Sequence, residues 1–280
     1  MRGTRLGIAG LGLIGGSLAL ALRRGPGSPE IWGYDRRAET VRLALAGGAI
    51  DRGCSERDLA ACDIVMVCVP VIRSLSLIRR LGARMRPGTL LTDAGSVKDR
   101  IVREGMAGMA AGAEFLGGHP IAGTENSGFT AADPDLFRGR TAILTPVEGN
   151  SEEAVRRVEA LWIRAGSRVV RMDPKVHDHV FAWVSHLPHA VAYALVHSVS
   201  TLDSKVPLGY SAGGFRDFTR IASSNPEMWK DIVLQNRTEV LRAAAQYRRS
   251  FGELTRMIRE GDEAGLIAYF RKAKTTRDRM

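Results

Sequence analysis

The sequence has few cysteines, no long apolar run and no recognisable leader. Its three cysteines, Cys54, Cys62 and Cys68, are an odd number without a C-x-x-C pair, which excludes a disulfide framework and favours a reducing compartment. No apolar stretch approaches the ~20 residues that span a bilayer, and the N-terminus leads directly into a strand-like segment. We therefore expect a cytoplasmic protein that does not bind membranes.

Acidic residues are also scarce, since 30 Asp and Glu face 40 Lys and Arg, giving a formal net charge of +10. Such an excess fits either a nucleic-acid partner or small anionic ligands. Aromatic residues make up only 6% of the chain, and the basic residues are scattered as pairs that become dense only over 271–279. Because no zinc-finger, RRM or KH signature is present, we expect small anionic ligands and no nucleic acid.

The composition that remains is that of a folded globular protein, with 45% hydrophobic and 25% charged residues. A length of 280 residues predicts two domains. Up to residue 172, short β-rich runs alternate with helical stretches, which predicts an α/β domain with a doubly wound parallel sheet. The predicted strands are 5–9, 30–34, 63–69, 89–92, 141–144 and 168–170, and the predicted helices are 14–24, 37–46, 72–85, 97–106 and 151–165.

Residues 173–280 follow a different pattern, with apolar residues at helical spacing and almost no β-branched runs. We predict an all-helical second domain, with a long helix around 175–199 and a glycine-rich break at 208–215. Another helix opens near 224–226, where Pro226 suits the first helical position behind a Ser or Asn cap. One or two further helices are expected through 253–275.

Three glycines directly after the first predicted strand indicate a nucleotide site. Gly10, Gly12 and Gly15 form the pattern G-x-G-x-x-G and open an amphipathic helix, which is the context that a dinucleotide loop requires. Gly10 permits the tight turn, Gly12 lets the backbone approach a pyrophosphate, and Gly15 allows close packing of helix on strand. The helix N-terminus at Leu13 and Ile14 would offer free N–H groups to the phosphates.

An acidic residue at the end of the second predicted strand completes this pattern. Asp35 follows Gly15 by about 20 residues, the distance at which an acid binds the adenosine ribose hydroxyls and repels a 2′-phosphate. We therefore predict NAD as the cofactor. Arg36 and Arg37 come next, and a neighbouring arginine is able to accommodate that phosphate, so NADP stays open.

Two short, polar, glycine-rich segments, 93–99 and 117–125, come after predicted strands, where ligands of doubly wound sheets bind. Ser96 in the first segment precedes an acid by three residues, which is also the pattern of a plain helix cap. His119 in the second segment is titratable and lies beside glycines that would leave room for a ligand. Hydride abstraction from an alcohol carbon needs a base for the hydroxyl proton, and His119 is our candidate.

The other histidines lie on the predicted long helix and raise the question of a metal site: His177, His179, His186, His189 and His197. No clean i, i+4 pair occurs among them, Pro188 interrupts the helix, and no cysteine or carboxylate completes a ligand pattern, so we predict no metal. We expect structural or surface roles for most of them and a functional role for His189.

Arg216 and Arg220 lie four residues apart beside a glycine pair. Guanidinium groups suit carboxylates. Pairing with Asp217 on a solvated helix face explains the two arginines without any ligand, and from these residues alone that is the favoured interpretation.

Taken together, these motifs resemble the prephenate dehydrogenase family, which oxidatively decarboxylates prephenate or arogenate in tyrosine biosynthesis. The resemblance spans nearly the whole chain and rests on segments in a fixed order: 10–15 with 34–35, 93–98, 117–128, 185–189, 213–220 and 225–229. It implies an NAD-dependent enzyme with a Rossmann-type N-terminal domain (1–172) and an all-α C-terminal dimerisation domain (173–280).

The resemblance also implies roles for individual residues. His119 would take the proton of the ring hydroxyl as hydride leaves for NAD, and Ser96 would orient that hydroxyl and His119. Arg220 would bind a substrate carboxylate. The rest of the pocket would comprise Arg216, His189, Thr124, Glu125 near the entrance, and Trp229, which would reach the site of the neighbouring subunit in a homodimer.

Several alternatives stay open at the level of sequence. Arogenate, or both cyclohexadienyl substrates, would suit the same motifs as prephenate. A 3-hydroxyacid dehydrogenase would share the N-terminal half, but Lys175 and Lys205 lack the motif around its catalytic lysine. A non-enzymatic NAD-binding regulator would bind DNA in a salt-dependent manner. A chain of 280 residues leads us to expect neither a fused chorismate mutase nor an ACT domain.

Overall fold

In the computed structural model, residues 3–124, 126–201 and 211–280 are described. Within these ranges, eight strands form one sheet: β1 (Arg5–Ala9), β2 (Glu30–Tyr34), β3 (Arg52–Gly53), β4 (Ile64–Val67), β5 (Leu90–Asp93), β6 (Glu114–Pro120), β7 (Thr141–Thr145) and β8 (Arg168–Arg171). Their order across the sheet is β3-β2-β1-β4-β5-β6-β7-β8. The chain winds outward from β1 in both directions, which confirms the predicted doubly wound architecture.

Strands β1 to β6 are parallel, β7 runs antiparallel to β6, and β8 runs parallel to β7. Strand β4, in the middle of the sheet, is apolar along its whole length, and all four of its residues are buried, as expected where helices cover both faces of a parallel sheet. The order reverses between β1 and β4, and in open α/β sheets ligands bind beyond the carboxyl ends of the strands at this point.

Six helices connect these strands: α1 (Leu13–Arg23), α2 (Ala38–Ala46), α3 (Glu56–Leu59), α4 (Val71–Gly82), α5 (Asp99–Ala107) and α6 (Glu152–Arg164). They bury two apolar clusters, one on each face of the sheet. The first includes Trp162 and Phe137, whose rings meet edge to face with centroids 5.3 Å apart. The second contains Ile78 and Phe115, and it also takes in Trp229 from the second domain.

The second domain is helical throughout its described residues, as predicted: α7 (Pro174–Phe181), α8 (Leu187–Ser200), α9 (Gly213–Thr219), α10 (Pro226–Gln235), α11 (Arg237–Glu260) and α12 (Glu263–Arg277). A π-helical turn, Ala182–His186, joins α7 to α8, so the predicted long helix is one irregular element. The irregularity has a physical reason, because Pro188 has no N–H to donate to the carbonyl four residues earlier.

Some details differ from the predictions. The expected glycine-rich break is wrong at Gly213–Phe215, which opens α9; residues 208–210 lie outside the described part of the chain. Strand β6 was expected to end before Gly117, but it continues to Pro120 through Gly117 and Gly118, which are poor strand formers. The structure explains them, since a Cβ on Gly118 would lie 2.7 Å from the main-chain oxygen of Asp93. Helix α11 also begins well before the predicted start at 253.

Candidate active site

The glycines of the loop after β1 are there for two different reasons. Gly10 has φ +94°, and a Cβ there would lie 2.6 Å from the Cys68 oxygen, while a Cβ on Gly15 would lie 1.9 Å from the Gly10 oxygen. The fold itself therefore requires both glycines. A Cβ on Gly12, in contrast, would meet no described protein atom within 4 Å. The open space beside Gly12 leaves its backbone accessible to a ligand.

The N-terminus of α1 is available to an anion. Gly12 occupies the cap position without a side-chain hydrogen bond, and the first turn contains no acidic residue. Leu13 and Ile14 in that turn are partly exposed. A helix N-terminus with unsatisfied N–H groups attracts phosphate, so this terminus and the open loop fit a dinucleotide.

Asp35 lies beside this loop, directly after β2. Its Oδ2 accepts the Leu11 N–H at 3.1 Å and its Oδ1 accepts the Arg37 N–H at 3.0 Å. The carboxylate is thereby held next to the glycine loop, where a ribose would lie. Arg36 is exposed, and Arg37 Nε is 3.8 Å from Asp35 Oδ1, so both cations stay close to the acid.

His119 lies near the end of β6 and pairs with Ile143 of β7. The expectation that adjacent glycines leave room for a ligand is wrong for Gly117 and Gly118. A Cβ on Gly117 would lie 2.4 Å from Thr145 Oγ1, and Gly118 packs equally tightly on β5. The two glycines instead permit close strand packing, while residue 119 itself is partly exposed.

A buried ion pair that the sequence analysis missed holds the peptide before His119. Lys98 Nζ donates to Asp93 and, at 2.7 Å, to the Gly118 carbonyl, while Asp93 Oδ1 accepts the Gly118 N–H at 3.1 Å. Both charged side chains are fully buried. Burial lowers the pKa of Lys98 and the Asp93 carboxylate opposes that shift. The only sequence signal was their position five residues apart in the segment after β5.

Behind His119, two further side chains form a hydrogen-bonded chain. His119 Nδ1 lies 2.8 Å from His177 Nε2, and His177 Nδ1 lies 2.9 Å from Asp178 Oδ1. Asp178 also accepts the main-chain N–H groups of Lys98 at 2.7 Å and Asp99 at 2.9 Å. Asp178 therefore caps α5 from the second domain, and the interpretation of Ser96 as the helix cap is wrong because α5 begins at Asp99.

The electrostatics of this cluster favour neutral imidazoles. The pKa of His119 is held well below 6.5, first by burial and then by the neighbouring His177, Lys98 and His186. Burial likewise lowers the pKa of His177, against the opposing effect of Asp178, and lowers that of His186 to about 4. A neutral His119 at pH 7 is able to accept a proton.

Ser96 is connected to the cluster through its main chain. Its main chain lies near His186, the last residue of the π-helical turn, and raises the pKa of that imidazole against the larger effect of burial. His186 Nδ1 lies 3.0 Å from Asn236 Nδ2, which also donates to the Asp178 carbonyl at 2.7 Å. His186 therefore lies between the loop after β5 and Asn236 of the second domain. The sequence analysis did not predict this role.

His189 and Trp229 form the next part of the region. The two rings stack with centroids 3.5 Å apart and 19° between their planes, and His189 Nδ1 lies 2.9 Å from the Ser185 carbonyl oxygen. Burial lowers the pKa of His189, and the charge of Arg220 lowers it further, so Arg220 lies close to this ring. Trp229 is only 8% exposed and packs within its own chain.

Two of the remaining predicted residues, Arg216 and Thr124, lie on the surface. Arg216 is exposed and its Nε donates to Ser211 Oγ at 3.1 Å. Thr124 is exposed and its Oγ1 accepts the Asn126 N–H at 3.2 Å. Glu125 lies outside the described residues. Across the described ranges, no group of three or more His, Cys, Asp or Glu is arranged to hold a metal ion, and no helix is long and apolar enough to cross a membrane.

The structure combines a doubly wound sheet and an open glycine loop with neutral histidines where the helical domain packs on the sheet domain. This combination defines a class, the two-domain nucleotide-binding oxidoreductases. Residues 18–171 match the family model "Prephenate dehydrogenase, nucleotide-binding domain", and residues 173–272 match "Prephenate dehydrogenase, dimerization domain". The chain belongs to the prephenate dehydrogenase family, which confirms the resemblance inferred from its motifs.

Individual relatives agree with this membership. The chain is 36% identical to a prephenate dehydrogenase of Bacillus subtilis (strain 168), over 97% of this chain and 74% of that protein. It is 32% identical to a cyclohexadienyl dehydrogenase of Zymomonas mobilis, over 97% and 94% of the two chains. A crystal structure of prephenate dehydrogenase from A. aeolicus, in complex with hydroxyphenyl propionate and NAD+, matches with a TM-score of 0.92 and 37% identity, covering 100% of this chain and 98% of that one.

Proposed function

We propose that the protein is a prephenate dehydrogenase, which converts prephenate to 4-hydroxyphenylpyruvate in tyrosine biosynthesis with NAD as oxidant. The reaction transfers a hydride from the cyclohexadienyl ring and releases the ring carboxylate as CO2, and the ring becomes aromatic. The observation that carries this proposal is His119, a partly exposed residue with a neutral imidazole at the carboxyl end of the sheet, in a chain of this family.

The residues that would hold the cofactor are those of the open loop and its acid. Gly12, Leu13 and Ile14 present main-chain N–H groups, with Gly10 and Gly15 shaping the turn, and Asp35 would bind the ribose hydroxyls beside Arg36. When bound, NAD supplies the hydride acceptor. The chain's own task is to position the ring and remove one proton.

His119 takes the proton of the ring hydroxyl and Ser96 orients that hydroxyl. A positioned base of this kind contributes a rate factor of ~10²–10⁴. Arg220 binds a substrate carboxylate through its guanidinium group. The pocket is completed by Arg216, His189, Thr124, Glu125 and Trp229, and the proximity of Arg220, His189 and Trp229 within one chain supports this. The reach of Trp229 into the site of the neighbouring subunit stays a prediction.

The wider organisation follows from the same assignment. Residues 1–172 form the dinucleotide-binding domain and residues 173–280 the helical domain through which two copies pair as a homodimer. The match of 173–272 to a dimerization domain supports this pairing. We assign the protein to the cytoplasm, and its three free cysteines support this assignment. Burial raises the pKa of the Cys54 thiol to about 11 and that of the Cys62 thiol to about 12.

The second candidate is a dehydrogenase that accepts arogenate as well, favoured by the similarity to a cyclohexadienyl dehydrogenase. One assay tests both candidates. Pure protein is incubated with NAD or NADP and with prephenate or arogenate, and NADH or NADPH absorbance is followed. We expect the highest kcat/KM with NAD and prephenate, and comparable turnover of arogenate would favour the second candidate.

The control for this assay is His119→Asn. We expect kcat to fall by ~10²–10⁴ while NAD binds as tightly as before. If none of the four combinations of cofactor and substrate turns over, the proposed function is refuted. If His119→Asn keeps full activity, the role of His119 is refuted.

A further inference from the structure

We propose that His177 and Asp178 are positioning residues that hold His119 in the tautomer with its proton on Nδ1, which leaves Nε2 as the atom that receives the substrate proton. This inference rests on the proposed function and deepens it, because it assigns the basic atom and the residues that select it. Neither residue was given a role in the sequence analysis.

The first step of the argument concerns Asp178. Its carboxylate accepts two main-chain N–H groups, from Lys98 and Asp99, at the N-terminus of α5. The Asp178 oxygens therefore act as acceptors in both bonds, and a carboxylate has no proton of its own to donate. The contact of 2.9 Å between Asp178 Oδ1 and His177 Nδ1 therefore requires the proton to be on that nitrogen.

The second step follows the chain outward to His119. A neutral His177 with its proton on Nδ1 has a lone pair on Nε2, so it accepts a hydrogen bond there. The atom at 2.8 Å is His119 Nδ1, which must be the donor. His119 Nε2 is then unprotonated and is the one basic nitrogen left on that ring.

The third step separates the roles of the two histidines by exposure. His177 is 0% exposed, whereas His119 is partly exposed. A substrate that reaches His119 cannot touch His177, which acts only through the hydrogen bond between them. Phe181 stacks on His177 with centroids 4.4 Å apart and also lies 4.9 Å from the His119 ring, fixing both rings in an apolar contact.

The other charged and titratable groups that face His119 do not compete for its Nδ1. Lys98, in the loop before α5, donates to Asp93 and to the Gly118 carbonyl. His186 has its Nδ1 on the Asn236 amide at 3.0 Å. The hydrogen bond from His177 is therefore the contact that selects the tautomer.

The proton transfer itself is simple. The O–H bond of the ring hydroxyl breaks, a bond forms between the proton and His119 Nε2, and the electron pair left on oxygen forms the carbonyl as the ring carbon gives up hydride, for which bound NAD would be the acceptor. The imidazolium then keeps its Nδ1–H on His177, whose own N–H points at the Asp178 carboxylate. If His177 did not accept this bond, His119 would be free to carry its proton on Nε2, where it blocks the reaction.

The test compares two substitutions at the same position. In His177→Gln an amide oxygen is available to accept from His119 Nδ1, whereas in His177→Phe the ring is kept and the acceptor is lost. Histidine labelled with ¹⁵N reports by NMR which ring nitrogen of His119 carries the proton. We expect protonated Nδ1 in the parent and in His177→Gln, and a mixture or protonated Nε2 in His177→Phe.

Turnover of prephenate should follow the tautomer. We expect kcat of His177→Phe to fall on the order of 10²-fold, with KM for NAD unchanged and with recovery to within about tenfold in His177→Gln. The matched control is His179→Phe on the same helix, an exposed histidine that hydrogen-bonds Glu239, and its kcat should match the parent. Circular dichroism and thermal unfolding verify that each variant folds.

The NMR measurement needs no substrate, so it separates this inference from the proposed function. A proton on Nε2 of His119 in the parent protein would overturn the inference, as would an unchanged tautomer in a folded His177→Phe variant. If the tautomer is as expected but no cyclohexadienyl substrate turns over, the proposed function fails while the positioning of His119 stands.

Discussion

The Asp178 carboxylate accepts the main-chain N–H of Lys98 at 2.7 Å, although the two residues are 80 positions apart in the chain. This hydrogen bond joins α7 of the helical domain to the first turn of α5 in the nucleotide-binding domain. The same carboxylate hydrogen-bonds His177, so one side chain contributes both to the contact between the two domains and to the orientation of His177.

Asp178→Asn should weaken this junction. The substitution keeps the volume but removes a negative charge from the N-terminus of α5 and turns one acceptor into a donor. Loss of a cap destabilises proteins by ~0.5–2 kcal/mol, and we expect about 2 kcal/mol here because the site is buried. Urea unfolding measures the change.

The control for that substitution is Asp262→Asn, because Asp262 caps α12 through the N–H of Gly265 far from the histidines. We expect less than about 1 kcal/mol there and unchanged turnover. Equal losses of activity in the two variants would show that Asp178 has no special connection to the site.

Lys98→Met should be more damaging, since it leaves the Asp93 carboxylate buried without its partner. Breaking a buried ion pair costs about 3–5 kcal/mol. Adding Asp93→Asn to this variant should recover part of the loss, because the uncompensated charge is then gone. Urea unfolding of the single and double variants provides the coupling free energy.

An exposed ion pair provides the control for Lys98→Met. Arg42 and Glu39 form an ion pair on α2 with most of both side chains in solvent, and Arg42→Met should cost less than about 1 kcal/mol. A double variant no more stable than Lys98→Met would contradict the buried-charge explanation.

Most of the fold could be predicted from the sequence because the patterns that indicate strands and helices are local. The glycine pattern follows a strand and precedes a helix, and the apolar run of β4 fits a strand covered on both faces. The last part of strand β6 was missed because Gly117 and Gly118 suggest a loop, whereas the packing of Asp93 and Thr145 against them requires glycine. Tertiary packing overrode local propensity at that strand.

The candidate site was predictable only in part, for a related reason. His119 stood out because it follows glycines in a short polar segment, but its partner His177 is 58 residues away. Nothing in the spacing of His177 and Asp178 distinguishes a hydrogen-bonded pair from two helix residues. Such long-range contacts become visible only when the second domain is docked on the first.

The stability of the protein should depend on pH through its buried histidines. The pKa of His186 is about 4 in the folded state, against about 6.5 when unfolded. As the pH falls, the unfolded state binds the proton first. The contribution of neutral His186 to the free energy of unfolding is therefore complete above pH 6.5 and is lost between about pH 6.5 and 4. The lowered pKa values of His119 and His177 act in the same direction.

The loss from His186 alone amounts to about 3 kcal/mol at the acid end of this range. Urea unfolding at several pH values should therefore show a shallower pH dependence in His186→Gln than in the parent. His197→Gln, at an exposed histidine of α8, should leave the dependence unchanged. Parallel curves for the parent and His186→Gln would contradict the assignment of a neutral, buried His186.

Two glycines of the same loop should respond to alanine in opposite ways. In Gly12→Ala the new methyl group meets no described protein atom within 4 Å, so the free energy of unfolding should change by less than about 1 kcal/mol. The methyl group enters the space where a pyrophosphate would approach the backbone, and we expect KM for NAD to rise at least about tenfold. In Gly15→Ala the methyl group would lie 1.9 Å from a main-chain oxygen, and this overpacking should cost more than about 3 kcal/mol. Thermal unfolding and NAD titration of both variants separate the two effects, and a destabilised Gly12→Ala with normal NAD affinity would show that the loop serves the fold and not the nucleotide.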